Sequence, residues 1–185
     1  MHTMISPFPF PGHRAPNAGF EVPLEMLAAC HHRVESQCMT LQRLVARVAT
    51  HGSDEQARVA ATAVLRYFDT AAVDHHADEE IDLFPALIES MAGSDATCIR
   101  DLIASLKDDH RTLESRWQRL RPALLKIAAG EPQPLLLGDV MPLVALYGQH
   151  MAREEAELLP MAARLLSDPA LESVGRAMRE RRGIA

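Results

Sequence analysis

Two stretches of the sequence carry nearly the same run of residues that can bind metal. Residues 75–85 read HHADEEIDLFP, and residues 150–160 read HMAREEAELLP. On a helix, side chains four residues apart lie on one face, about 6 Å apart at Cβ. Each copy therefore aims one imidazole and one carboxylate at a common point. The pairs are His75 with Glu79 and His150 with Glu154. Imidazole with carboxylate is a ligand set for iron, manganese or zinc.

Two further histidines, His31 and His110, lie on the apolar faces of other predicted helices. Each of four core-facing stripes then carries one histidine. A rise of about 1.5 Å per residue places all four toward the same end of a bundle. Buried imidazoles and carboxylates are costly without a partner. A shared cation would remove that cost, and the joint pattern predicts a metal centre.

Glu114 lies four residues after His110 and has two interpretations. It could be a third carboxylate ligand, or an exposed partner of Arg111 or Arg121. A single histidine on an apolar face is more often a satisfied core residue than a ligand, so the prediction depends on the whole set. The predicted metal ligands are His31, His75, Glu79, His110, Glu114, His150 and Glu154.

The residues that directly follow ligand candidates are expected to face elsewhere. His32 and His76 point about 100° away from their neighbours on a helix, so we expect both to be exposed. Glu80 and Glu155 follow the candidate glutamates. They are expected to be surface charges or to support the ligands from outside the coordination sphere.

Composition indicates the elements that must position these side chains. Of 185 residues, 48% are apolar but only 4% are aromatic, a mixture that favours helices over sheets. The predicted fold is all-α: an up-down antiparallel four-helix bundle over 23–185 with a short C-terminal helix, preceded by an extended Pro-rich arm over 1–22. The predicted helices cover about 23–51, 53–92 with a bend at Pro85, 95–129 with a kink at Pro122, a segment from 139 with a bend at Pro160, and 168–182. A capping box of Ser53 and Gln56 is expected to start the second helix.

Charge and hydropathy exclude several classes of partner. A net charge of −6 gives no reason to expect nucleic acid or an anionic membrane. No apolar run is long enough to span a bilayer, and the proline-broken N-terminus is a poor signal peptide. The three cysteines, Cys30, Cys38 and Cys98, are odd in number and show no metal-like spacing. They are expected to be reduced thiols in a cytoplasmic protein.

The same motifs resemble the haemerythrin-like, His-His-Glu cation-binding family over about residues 24–166. The resemblance implies two irons held between the helices of a four-helix bundle. It implies that Glu79 and Glu154 bridge the irons, that His31 and His75 serve one iron, and that His110 and His150 serve the other.

The chain departs from oxygen-carrying haemerythrins at Glu114, where those proteins have a second histidine on the third helix. A harder, more anionic ligand set would favour the ferric state, which argues against reversible dioxygen carriage. The pattern resembles bacterial relatives linked to iron handling, to the response to oxygen or nitric oxide, and to the repair of iron–sulfur centres.

The sequence therefore predicts a single-domain, non-haem di-iron protein that binds or reacts with O2, NO or peroxide. The number of candidate ligands exceeds what one tetrahedral zinc uses, although manganese or zinc could replace iron. Whether the protein is an enzyme stays open. The alternatives are a metal-responsive sensor or iron store, and an interaction bundle without a working metal site.

Overall fold

The computed structural model describes residue 19 and residues 21–91 and 96–184. Within these residues the chain is helical and contains no β-strand, which confirms the predicted all-α class. The predicted arm over 1–22 lies almost wholly outside the described residues, so its extended form stays a prediction.

The helical elements combine into four long rods and one short helix. The first rod is α1 (Pro23–His51), and the third is α5 (Ala96–Ala128). The second rod joins α2 (Glu55–Asp69), α3 (Ala71–Ala77), a π-helical segment (Asp78–Leu83) and α4 (Phe84–Ser90). The fourth joins α6 (Leu137–Arg153), a second π-helical segment (Glu154–Leu158) and α7 (Leu159–Leu165), and the short helix α8 spans Asp168–Arg181.

Several helix ends follow the chemistry expected of their residues. α1 stops at Gly52, whose φ of 64° suits a residue without Cβ. Ser167 caps the start of α8, and its hydroxyl accepts a hydrogen bond from the backbone N–H of Ala170. The predicted capping box of α2 is wrong. Asp54 is the N-cap, with its carboxylate accepting from Ala57 N at 2.9 Å, while the Ser53 hydroxyl donates to the backbone carbonyl of Glu131.

Each π-helical segment ends two residues before a proline at which a bend was predicted, Pro85 in the second rod and Pro160 in the fourth. Proline has no N–H, and its ring collides with the carbonyl of the residue four positions earlier. The hydrogen-bond ladder lengthens by one residue just ahead of it: Phe84 N–H donates to Glu79 O, and Leu159 N–H donates to Glu154 O. Both glutamates of the repeated motif therefore sit on π turns, a geometry found often at functional sites.

In the described part of the chain the core consists of two apolar clusters separated by a polar layer. The first cluster is built around Phe68 and Trp117, and the second around Phe84 and Leu158. On α1, Leu27 belongs to the second cluster and Val34 to the first, and on α5 the same holds for Leu106 and Leu113. In both cases a histidine lies between the two leucine or valine positions. The second and fourth rods cross in the opposite sense, from first cluster to second. This alternation fits the predicted up-and-down order of the rods.

Candidate metal centre

The polar layer is formed by six of the seven predicted ligands. All six side chains are buried, and the most exposed of them, His110, is only 4% accessible. Two come from the second rod, two from the fourth, and one each from the first and third. They are His31, His75, Glu79, His110, His150 and Glu154.

Each glutamate of the layer lies between two imidazoles that come from different rods. For Glu154, Oε1 is 3.0 Å from His150 Nε2 and Oε2 is 3.2 Å from His31 Nε2. For Glu79, Oε2 is 3.2 Å from His110 Nε2, and Oε1 is 3.6 Å from His75 Nε2.

The polar atoms of the layer are close together but are not satisfied by one another. Within the described part of the chain, both carboxylate oxygens of Glu79 and of Glu154, and Nε2 of His31, are buried without a hydrogen-bond partner. The Nε2 atoms of His110 and His150 lie only 3.1 Å apart. Because buried polar groups are almost always paired, orphaned donors and acceptors aimed at common points fit a metal centre.

Two groups of four residues can each surround a cation, with their ligand atoms within 4.8 Å of one another. One group adds His31 and His75 to the two glutamates, and the other adds His110 and His150. Glu79 and Glu154 belong to both groups.

A second ring of carboxylates orients three of the imidazoles. Glu155 contacts His31 Nδ1 at 2.9 Å, and Glu80 contacts His110 Nδ1 at 2.8 Å. Asp109 lies 3.3 Å from His150 Nδ1 and is itself held by Arg153. A carboxylate that keeps the proton on Nδ1 leaves the Nε2 lone pair free for a cation.

This ring explains the double glutamate in each copy of the motif. The first glutamate enters the layer on its own rod. The second reaches sideways to a histidine of a neighbouring rod, so Glu80 supports His110 and Glu155 supports His31. The two copies therefore link neighbouring rods as well as placing a carboxylate in the layer.

The pKa values of the two buried glutamates are driven apart in the absence of a cation. Burial, with Glu154 beside it, raises the pKa of Glu79 well above its usual range. Burial also acts to raise the pKa of Glu154, but contacts with His150 and His31 outweigh it and hold that pKa well below the usual range. Two carboxylates this close do not both ionise readily, whereas a divalent cation would favour both charges.

Burial lowers the pKa values of two histidines of the layer, whereas contacts with carboxylates raise the pKa of a third. It lowers the pKa of His75 to about 3, so the ring is neutral at physiological pH. Burial also lowers the pKa of His110, with His150 adding to the effect. For His31 burial acts downward, but contacts with Glu154 and Glu155 raise the net pKa. Neutral imidazoles are the form that binds metal.

Glu114 is not brought into either group. Its side chain is exposed and lines a cavity of about 650 Å³ beside the centre. The cavity reaches the polar layer at His110 and is also bordered by Glu80, Arg111 and Tyr147. The cavity therefore extends from the exposed side chains of Arg111 and Glu114 to His110 at the edge of the layer. A cavity of similar size on the α1–α2 face touches none of the six layer residues.

The expectation that His76 is exposed is wrong. The residue is half-buried, and its ligand atom lies with those of His110 and His150 inside a third potential metal group. The second rod packs against both α1 and α5. Adjacent histidines 100° apart can therefore both face the interior, one toward each neighbour. Burial, with His110 and His75 close by, lowers the pKa of His76 well below its usual value. His32, by contrast, is exposed as predicted.

The C-terminal helix holds the first π segment from outside. Asp78 precedes Glu79, is completely buried and accepts hydrogen bonds from both Arg181 and Arg182, the latter at 2.6 Å. Arg181 also donates to Asp82 at 2.7 Å. Burial raises the pKa of Asp78 although both arginines oppose it. No pattern in the sequence predicted that the basic C-terminal residues would bind Asp78 and Asp82.

Comparison with known proteins agrees with the geometry of the layer. Residues 22–162 match the family model described as "Hemerythrin HHE cation binding domain". The chain therefore belongs to the haemerythrin HHE cation-binding family. It is also 31% identical over 167 residues to a Haemophilus influenzae protein named "Uncharacterized protein". The aligned region covers 90% of this chain and 94% of that protein.

Hydropathy along the helices bears on the predicted lack of a membrane partner. Among the helices of the described residues, none combines the length and the apolar character that crossing a bilayer requires.

Proposed function

We propose that the protein is a non-haem di-iron protein that binds or reacts with O2, NO or peroxide. One observation carries the proposal: the two oxygens of each buried glutamate face imidazoles of different halves of the layer. Glu154 faces His31 on one side and His150 on the other, and Glu79 faces His75 and His110. This is the arrangement expected of carboxylates that bridge two cations.

In the proposed centre, His31 and His75 bind one cation and His110 and His150 bind the other. Glu79 and Glu154 are shared between them. The donor set of nitrogen and oxygen suits iron, and also manganese or zinc, but six ligands exceed what one tetrahedral zinc takes. When bound, iron would supply redox chemistry and open coordination positions for a small ligand.

The chain's own residues prepare the site for that chemistry. Glu155, Glu80 and Asp109 keep protons on the outer nitrogens of three histidines, so the inner nitrogens point at the cations. The two apolar clusters on either side of the layer exclude water along the bundle axis. The lateral cavity beside His110 is the open approach for a small diatomic molecule or peroxide.

We infer a role in iron handling, in the response to redox or nitric-oxide stress, or in the repair of iron–sulfur centres, and the resemblance to bacterial members of the family supports this inference. A cytoplasmic location, where thiols stay reduced, fits the free cysteines Cys30, Cys38 and Cys98.

The test is to load the protein anaerobically with Fe²⁺ and add O2, NO or peroxide while recording the absorption spectrum. The proposal expects new near-ultraviolet and visible bands in the wild type and in Glu157→Gln, since Glu157 is exposed and outside the layer. Glu154→Gln should lose them. Unchanged spectra with all three oxidants and ligands would overturn the proposal.

A second candidate is a metal-responsive sensor without turnover. The contacts of buried Asp78 with Arg181 of α8 and with Arg182 directly after it favour this candidate, because Asp78 is adjacent to the proposed bridging residue Glu79. Metal occupancy would then alter the docking of α8. A sensor should show slower amide exchange in α8 after metal loading and no turnover with peroxide or NO, whereas a catalyst should show turnover.

A further inference from the structure

Apolar packing does not explain why the His76 side chain faces the interior of the bundle. It lies on α3 directly after His75, and its Nε2 is buried without a hydrogen-bond partner in the described part of the chain. A buried, unpaired ring nitrogen costs free energy. The position of His76 therefore indicates a binding partner that is not among the described protein atoms.

The surroundings of His76 indicate what that partner is. Its ring stacks on that of His110, with centroids 4.0 Å apart and an angle of 13° between the planes. The His150 ring lies 6.1 Å away at 77°. One nitrogen from each of His76, His110 and His150 falls within 4.8 Å of the other two. Two nitrogens that bind one cation at about 2.1 Å lie at most about 4.2 Å apart. The stacked rings of His76 and His110 hold their lone pairs nearly parallel, so joint ligation requires the His76 ring to turn toward the other two nitrogens.

No other side chain in this group competes with His76 for a place beside His110 and His150. Glu114, the other candidate on this side, is exposed and belongs to none of the potential metal groups among the described residues. The Nδ1 atoms of His110 and His150 are already engaged by Glu80 and Asp109. Their Nε2 atoms, which lie 3.1 Å apart, face the interior together with His76.

We propose that His76 is a third imidazole ligand of the cation bound by His110 and His150. The inference rests on the two-cation function proposed above. It makes the two halves of the centre unequal, with three imidazoles on the His110 half and two on the His31 half. Because imidazole is neutral, a ligand set completed by His76 carries one negative charge less than a set completed by Glu114, and the ferrous state is then less disfavoured.

The direct test uses the wild-type protein loaded with cadmium-113, a divalent cation whose nuclear spin couples through a coordinate bond to histidine ring protons. We expect two cadmium resonances, one coupled to three histidines including His76 and the other coupled to two. Two cadmium resonances with no coupling to His76 would overturn this inference and leave the proposed function standing. Fewer than two bound ions in the wild type would overturn both.

A matched pair of variants tests the same point by affinity. His76→Gln should weaken binding of one of the two Fe²⁺ ions by about 100-fold or more, since even outer partners of ligands contribute about 10- to 100-fold. The control is His32→Gln, because His32 follows His31 as His76 follows His75 but is 63% exposed and pairs with Glu35. Equal affinities in the two variants, with circular dichroism showing both folded, would contradict the assignment.

Discussion

Each rod of the bundle contributes to two kinds of core. The apolar clusters are complete by themselves: Leu124 of the first and Phe84 of the second are fully buried among other apolar side chains. The polar layer between them is equally buried, yet its carboxylate oxygens have no hydrogen-bond partner among the described residues. The clusters stabilise the bundle by apolar packing, whereas the layer would be completed by the proposed cations.

This difference predicts that metal stabilises the protein through the layer alone. Removing bound metal with a chelator should lower the free energy of unfolding by about 4 kcal/mol for each ion present at a thousand times its Kd. The Tm of loaded and chelated protein measures the effect. Equal Tm values would show that the layer is satisfied without a cation.

A substitution that creates a cavity in an apolar cluster should lower the stability of the fold without changing metal binding. Leu124→Ala should cost about 2–5 kcal/mol of stability and leave the metal content unchanged, because Leu124 does not belong to the layer. The control Leu125→Ala removes a side chain that is 45% exposed and should change stability by about 0.5 kcal/mol or less. Denaturant unfolding and elemental analysis give the two readouts. Loss of metal in folded Leu124→Ala would break the proposed separation of roles.

The outer carboxylates should affect metal affinity more than stability. Glu80→Gln leaves His110 without its charged partner and should weaken metal binding by about 10- to 100-fold. Glu89→Gln, an exposed position on the same rod, should have no effect. Titration with Fe²⁺ under anaerobic conditions checks both variants. Equal affinities would mean that Glu80 does not support the centre.

The smallest expected effect lies at the start of α2, far from the layer. Asp54→Ala should cost about 1 kcal/mol without changing metal affinity, and Glu172→Ala, exposed within α8, should be neutral. Hydrogen bonds from Arg47 and from Ala57 N–H lower the pKa of Asp54 from 3.8 to about 2. Its stabilising contribution is therefore complete above about pH 4 and lost as the pH falls through about 2. Stability measured from pH 5 to 2 should fall less steeply in Asp54→Ala than in the wild type.

Spacing along the sequence was enough to predict the layer because a helix repeats its faces with a fixed period. His75 with Glu79 and His150 with Glu154 lie on shared faces, and the apolar stripes locate His31 and His110. The bounds of α1, Pro23–His51, follow from a proline in its first turn and from Gly52 at its end. Glu114 lies four residues after His110, as the spacing rule requires, yet its side chain is exposed. Spacing within one helix does not show how closely neighbouring rods pack against each side chain on that face.

The remaining features depend on contacts between rods. His76 faces the interior only because the second rod packs between α1 and α5. Glu80 and Glu155 reach histidines that lie on other rods, which spacing within one helix does not reveal. The break between α2 and α3 falls at Thr70, whose φ of −132° and ψ of −78° are not helical. No glycine or proline lies at that position, so helix-breaking residues do not predict this break.

The most direct test of the central claim is the number of cations bound per chain. Anaerobic titration of metal-free protein with Fe²⁺, followed by elemental analysis, should give two ions per chain in the wild type and a clear loss when Glu79 and Glu154 are both replaced by Gln. A wild type that binds no stoichiometric metal, or a double variant that still binds two ions, would contradict the account.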